Sequence, residues 1–202
     1  MHKAIFFDLG RVLINFDFTL GYQALEGACP YDAAEVRQRI KSTDLVTRFE
    51  TGLVEPHDFY RQLRGLLEFT FDYDAFCAAW SSIFTNPLVP DSLVESLSRR
   101  YRLVLLSNTN VIHIEMVREK YPVLRHFPDM VLSHEVKAMK PSPVIFNEAL
   151  RRAGCRPEEC FYTDDIPTFT EAARAMGIDA VTFESPAQLE RELERRGIRG
   201  IE

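Results

Sequence analysis

The chain has 202 residues, which suits one domain with an insertion or two small domains and is long enough to bury a real core. Its formal net charge of -6 excludes the broad basic surface that nucleic acid would require, and leaves small anions possible where positive charge is concentrated locally. The four cysteines, Cys29, Cys77, Cys155 and Cys160, have neither C-x-x-C nor zinc-ligand spacing and read as packed free thiols; with no leader pattern and no apolar run of roughly 18 residues, a cytoplasmic protein away from membranes is expected.

In chain order, KAIFFD (3–8) is a short continuous apolar run, the pattern of a parallel strand covered on both faces. From about Asp17 to Phe84 the pattern is helical: DFTLGYQALEG, then YDAAEVRQRI with Asp32 and Glu35 spaced as a capping box, then EPHDFYRQLRGLL and FDYDAFCAAWSSIF, with no strand between them. Tyr60, Phe71, Tyr73, Phe76 and Trp80 recur at helical spacing, as the core of such a unit would. After TNPLVPD, strands and helices alternate. RLVLLSN, DMVLS, CFYTDD and AVTFE read as strands, and VIHIEMVREKY, SPVIFNEALRRAG, FTEAARAMG and SPAQLERELERRG as helices, the last with Ser185 and Gln188 as a second capping box. This predicts an α/β fold: a doubly wound parallel sheet, Rossmann-like, from residues 1–15 and 87–202, with residues 16–86 inserted as a small α-helical cap.

Open parallel sheets bind ligands beyond the carboxyl ends of their strands. The residues there are Asp8, Ser107 with Asn108, and Asp164 with Asp165; Lys140 stands just before a helix start. Three carboxylates alone would repel one another and resist ionisation. With a lysine and a divalent cation they form an anion-handling site, and an oxygen-only donor set favours Mg2+. None of His2, His57, His113, His126 and His134 has metal-ligand spacing.

FFDLGRV, LLSNTN, the Lys140-Pro141 pair and FYTDD, in this order, resemble the four motifs of the haloacid dehalogenase-like (HAD) hydrolases, and the helical insertion resembles their small cap. The Asp-x-Gly start, the Ser-Asn-Thr-Asn stretch and the Asp-Asp pair are most similar to the α-D-glucose-1-phosphate phosphatase type, with the phosphatase domain of soluble epoxide hydrolase more distant. The resemblance implies a Mg2+-dependent phosphatase acting on a small phosphorylated metabolite through an aspartyl-phosphate on Asp8, with no obligate protein partner. It also implies that Ser107 and the Asn108 backbone N–H bind phosphoryl oxygens and that Lys140 neutralises charge. Asp8, the Gly10 carbonyl and Asp165 would hold the metal, with Asp164 acting through water or by orienting Lys140.

Three positions depart from the pattern. Gly10 replaces the aspartate that in most such phosphatases protonates the leaving oxygen, a step typically contributing about 10²- to 10⁴-fold. The missing proton would then come from water or from a cap residue. A steep dependence on leaving-group acidity is therefore expected, and Gly10→Asp should flatten it, provided that the new side chain clears the cap. Phe169 stands where an asparagine often contacts the metal's surroundings. Arg11 is either an anion-binding residue or a surface arginine paired with cap carboxylates. In the cap, RFETGLVEP reads as the substrate-facing helix and loop, making Phe49 and Glu50 the specificity candidates, against a plain packing role. The residues also leave open a weak or inactive binding protein on this fold, favoured by Gly10, and a haloacid dehalogenase, disfavoured by DLGRV and TDD.

Overall fold

The computed structural model describes residues 1–201. Ala4–Phe7 (β1) is buried at every position because it is the middle strand of a five-stranded parallel sheet. Ile14–Phe16 (β2) follows, and then five helices: Phe18–Glu26 (α1), Ala33–Lys41 (α2), Leu45–Glu50 (α3), Pro56–Leu67 (α4) and Tyr73–Ser81 (α5). Phe84–Pro87 (β3) closes this insertion. The remainder alternates: Asp91–Ser98 (α6), Arg102–Ser107 (β4), Val111–Lys120 (α7), Asp129–Leu132 (β5), Ser133–Val136 (α8), Pro143–Ala153 (α9), Cys160–Asp164 (β6), Pro167–Ala175 (α10), Asp179–Thr182 (β7) and Pro186–Arg195 (α11). The sheet order is β5-β4-β1-β6-β7, with Phe7 level with Leu105 on one side and Thr163 on the other. All four cysteines are free, and no helix among the described residues is long and apolar enough to cross a membrane.

The period-2 alternation of side chains sorts β1 between two layers. Ile5 and Phe7 join Leu103, Leu105 and Phe161 against α6, α7 and α11, whereas Ala4 and Phe6 join Val104, Leu106 and Tyr162 against α9 and α10. Phe6 and Phe7 are fully buried, and each such side chain contributes about 1.5–3 kcal/mol by leaving water. A third core lies inside the insertion, where Phe59 meets Phe49 face to face at 4.0 Å and Trp80 edge-on at 5.1 Å. Phe76 and Trp80 belong to it as expected; Tyr60 and Phe71 pack on its margin, and Tyr73 stacks on His57. The helix starts are capped: Asp32 accepts from the Glu35 N–H at 2.8 Å, and Ser185 accepts from the Gln188 N–H at 3.1 Å. Gln188 Oε1 in turn accepts from the Glu184 N–H, one residue earlier than the expected box.

No strand interrupts the five helices, as expected, but two short strands that the sequence did not reveal flank them. β2 and β3 pair antiparallel at the base of the insertion, held also by the Leu88 N–H to Leu13 O bond at 2.8 Å and the Asp17 N–H to Ile83 O bond at 2.9 Å. The two segments that join insertion to sheet are therefore bonded to each other. The short helices α3 and α8, which escape a reading by periodicity, meet each other across the two parts of the chain.

Candidate active site

The parallel sheet brings Asp8, Ser107 and Asp164 to one edge, because β1, β4 and β6 are neighbours and end together. Lys140 enters from the loop before α9, and its ammonium donates to Asp8 Oδ1 at 2.7 Å, Asp164 Oδ2 at 2.5 Å and Leu106 O at 3.0 Å. Three acceptors match the three protons of an ammonium. Asp164 is fully enclosed: Oδ2 also receives the Tyr162 hydroxyl, and Oδ1 receives the Ile166 N–H at 2.9 Å. Asp165 is half-buried beside them, and ligand atoms of Asp8, Asp164 and Asp165 lie within 4.8 Å of one another.

Burial governs the titration of this cluster. It pushes the Asp8 carboxyl up to about 7; the Lys140 ammonium opposes the shift and the charge of Asp164 reinforces it. Burial alone would depress Lys140, but Asp8 and Asp164 reverse this and hold its ammonium above the ordinary lysine range. Asp165 is raised by burial and by Asp164. Once ionised, three carboxylates face one ammonium, leaving a net deficit of two positive charges on oxygen donors alone. The residues thus fit a hard divalent cation such as Mg2+.

Ser107 is buried at the end of β4, and with Asn108 and Gly10 it lines a cavity of ≈ 50 Å³. The side chain of Asn108 has a task that its position in the motif did not reveal. Its Oδ1 accepts from the Lys140 N–H at 2.7 Å and its Nδ2 donates to Lys140 O at 3.0 Å, clamping the lysine loop from both sides. Tyr162, read from the sequence only as part of a strand, likewise emerges as a fixed partner of Asp164. Phe169 presents its ring 5.2 Å from the Lys140 ammonium, a cation–π contact where a polar residue was expected.

Gly10 has no room for a side chain. A Cβ there would fall 2.5 Å from Cε1 of Phe16, whose ring is wedged against Phe18 and Phe84 and covered by the Arg11 guanidinium at 5.0 Å. The condition set on Gly10→Asp, that the new side chain clear the cap, is not met with Phe16 where it stands, because the aspartate needs the space that its ring fills. Arg11 itself has left-handed backbone (φ 56°) and, among the described residues, no ion pair. It braces Phe16, and its charge favours ionisation of Asp165 and Asp17.

The specificity pair divides. Phe49 is turned into the core of the insertion, stacked on Phe59, and is a packing residue. Glu50, the next residue, lines the small cavity beside Gly10 and also a larger one of ≈ 290 Å³ bounded by Phe18, Tyr22, Val46, Trp80 and His113. Its end of α3 is docked on the sheet domain. Ser133 Oγ lies 2.5 Å from Glu50 O, Lys137 donates to Gly52 O, and Gly52 (φ 65°) passes so close to His134 O that a Cβ would stand 2.0 Å away. His113, buried, links the same two parts, with Nε2 donating to Trp80 O at 3.0 Å and Nδ1 facing Asn110 Nδ2 at 3.0 Å.

A family model, haloacid dehalogenase-like hydrolase, matches residues 2–177. The chain belongs to this family. Among HAD-like proteins it is 25% identical over 200 residues to a D-ribitol-5-phosphate phosphatase of Bacteroides thetaiotaomicron, covering 96% of this chain and 97% of that one. A HAD family enzyme of the same organism, solved with magnesium and inorganic phosphate, superposes with a TM-score of 0.81 at 28% identity, covering 92% of this chain and 96% of the other. A HAD-like hydrolase of Porphyromonas gingivalis, at 23% identity, shares the fold with a TM-score of 0.84 over 97% of this chain and 98% of its own.

Proposed function

We infer that the protein is a Mg2+-dependent phosphatase that hydrolyses a small, sugar-phosphate-like phosphomonoester through an aspartyl-phosphate on Asp8. The observation that carries this reading is the Lys140 ammonium bonded at once to Asp8 and Asp164 at the tips of adjacent strands. That contact gives a buried carboxylate a reason to be ionised and aims positive charge at the place where phosphoryl oxygens would gather. The magnesium and phosphate complex of the Bacteroides enzyme, similar over nearly the whole chain, supports the choice of metal and leaving product.

Asp8 attacks phosphorus and holds the phosphoryl group, dividing hydrolysis into two displacements. The Ser107 hydroxyl and the Asn108 backbone N–H receive the non-bridging oxygens, and Lys140 offsets their charge. Asp164 and Asn108 position Lys140 from its side chain and its backbone respectively. Asp8, Asp165 and the Gly10 carbonyl would hold Mg2+, with Asp164 at their edge. Bound there, the ion supplies further neutralisation of the phosphoryl oxygens. The insertion, residues 16–86, acts as the cap that covers the site and selects the leaving group.

The test is phosphate release from a panel of sugar phosphates, acyl phosphates and p-nitrophenyl phosphate, with Mg2+ or with a chelator. We expect release to require Mg2+ and to vanish in Asp8→Asn. Release indifferent to both would overturn the mechanism.

A further inference from the structure

We propose that Glu50 is the group that protonates the leaving oxygen, in place of the side chain missing at Gly10; the assignment rests on the phosphatase reading above. Position 10 carries no acid, and Phe16 fills the space that one would need, so the proton comes from water or from another group on the cleft wall. The wall of the small cavity beside Gly10, Ser107 and Asn108 carries two side chains able to exchange a proton near neutrality, Glu50 and His113. His113 is spent: one ring nitrogen donates to Trp80 O, the other accepts from the Asn110 amide, and burial holds its pKa down at about 4.

Glu50 stands differently. It borders both cavities, the small one at the phosphoryl end and the ≈ 290 Å³ one deeper in the insertion. Asp8 itself lines neither cavity, but its neighbours Leu9 and Gly10, with Ser107 and Asn108, line the small one, so a phosphomonoester with phosphorus at Asp8 and its organic part in the larger cavity would carry its bridging oxygen past that junction. The larger cavity has Trp80 on its wall, with Phe18, Tyr22 and Val46 around it, so the space that would take the organic part is mostly apolar. The Glu50 carboxyl is half-buried and, among the described residues, has no ion pair. Neighbouring charges are engaged elsewhere: Lys137 with Gly52 O, His134 with Thr109 O, and Arg48 with Asp44; Lys41 and Tyr22 lie on the larger cavity without bonding to it. Burial alone raises the carboxyl to about 7, the range in which an acid can both give and retake a proton. The docking of Glu50 O on Ser133 holds the residue in place.

The step balances as follows. As Asp8 forms its bond to phosphorus and the phosphorus–oxygen bond to the leaving group breaks, the Glu50 carboxyl proton passes to that oxygen, giving an alcohol and a Glu50 carboxylate. Glu50 then removes a proton from the water that attacks the aspartyl-phosphate, releasing inorganic phosphate and the Asp8 carboxylate.

A series of substituted phenyl phosphates of similar size, graded in leaving-group acidity, tests this with Mg2+-loaded wild type, Glu50→Gln and Glu50→Asp. Glu50→Gln should slow phenyl phosphate at least roughly 10²-fold more than p-nitrophenyl phosphate, the scale of a lost general acid. It should also release one equivalent of p-nitrophenol in a burst, because the second step has lost its base. Glu50→Asp should recover the shallow dependence in part. Thermal melting checks that the variants are folded. A Glu50→Gln protein with the wild-type dependence on leaving group, or slowed equally on every ester, overturns the assignment and leaves the phosphatase reading standing. Wild type that releases no phosphate, or an Asp8→Asn variant that still does, overturns both.

Discussion

His113 should make the protein acid-sensitive. Its neutral form is the only one the surroundings accept: the Asn110 side chain caps α7 by accepting from the His113 N–H at 3.0 Å, so its amide nitrogen must face Nδ1, which has to be bare. Burial therefore lowers the pKa from 6.5 to about 4. Below pH 6.5 the unfolded chain takes up a proton that the folded chain refuses, so this stability is complete above 6.5 and drains as pH falls to about 4. At about 1.4 kcal/mol per unit, the gap from 6.5 to about 4 amounts to about 3 kcal/mol, a large share of a typical domain's stability. Urea unfolding of wild type and His113→Gln at several pH values between 7.5 and 4 isolates the effect, because the carboxylates titrate in both proteins. The variant should start less stable at pH 7.5 and lose about 3 kcal/mol less on acidification. Parallel pH dependences would refute the reasoning.

Gly10→Asp should lower stability by about 1–3 kcal/mol through overpacking against Phe16, with no gain on alkyl phosphates, and adding Phe16→Ala should recover the lost melting temperature. Retention of full stability by the single variant would show that Phe16 swings aside freely. Lys140→Met leaves Asp8 and Asp164 facing each other without their shared cation. It should abolish phosphate release and cost about 3–5 kcal/mol in urea unfolding, as breaking a buried pair does, whereas a fully stable variant would mean that the carboxylates simply take up protons.

The strand-tip residues were legible because a buried apolar run ending on Asp8, Ser107 or Asp164 forces a polar group to a sheet edge, and topology does the rest. Ile14–Phe16 and Phe84–Pro87 were not, since three or four residues carry no measurable period and their partners lie some 70 positions apart. The same limit applies to Phe49 and Glu50. Adjacent helical residues point about 100° apart, and only the packing of α3 on α4 decides which one meets the core. The absent acid at Gly10 was visible in the sequence, but the ring of Phe16 filling its place depends on the β2–β3 pairing. The amide clamp of Asn108 on Lys140 joins loops 32 residues apart and has no local signature.

Because β2 and β3 pair, the insertion leaves the sheet and returns to it at one point. At that point it is a closed loop, and doubling such a loop costs only about 0.6 kcal/mol in closure entropy; its other anchors on the sheet domain are the contacts of Glu50 and Gly52 with Ser133 and Lys137 and of Trp80 with His113. Descendants of this architecture can therefore lengthen, shorten or exchange the helices between Phe16 and Phe84 while Asp8, Lys140 and Asp164 keep their places. The ribbon separates two rates of change in one molecule, allowing the insertion, Glu50 with it, to drift while Asp8, Lys140 and Asp164 stay fixed.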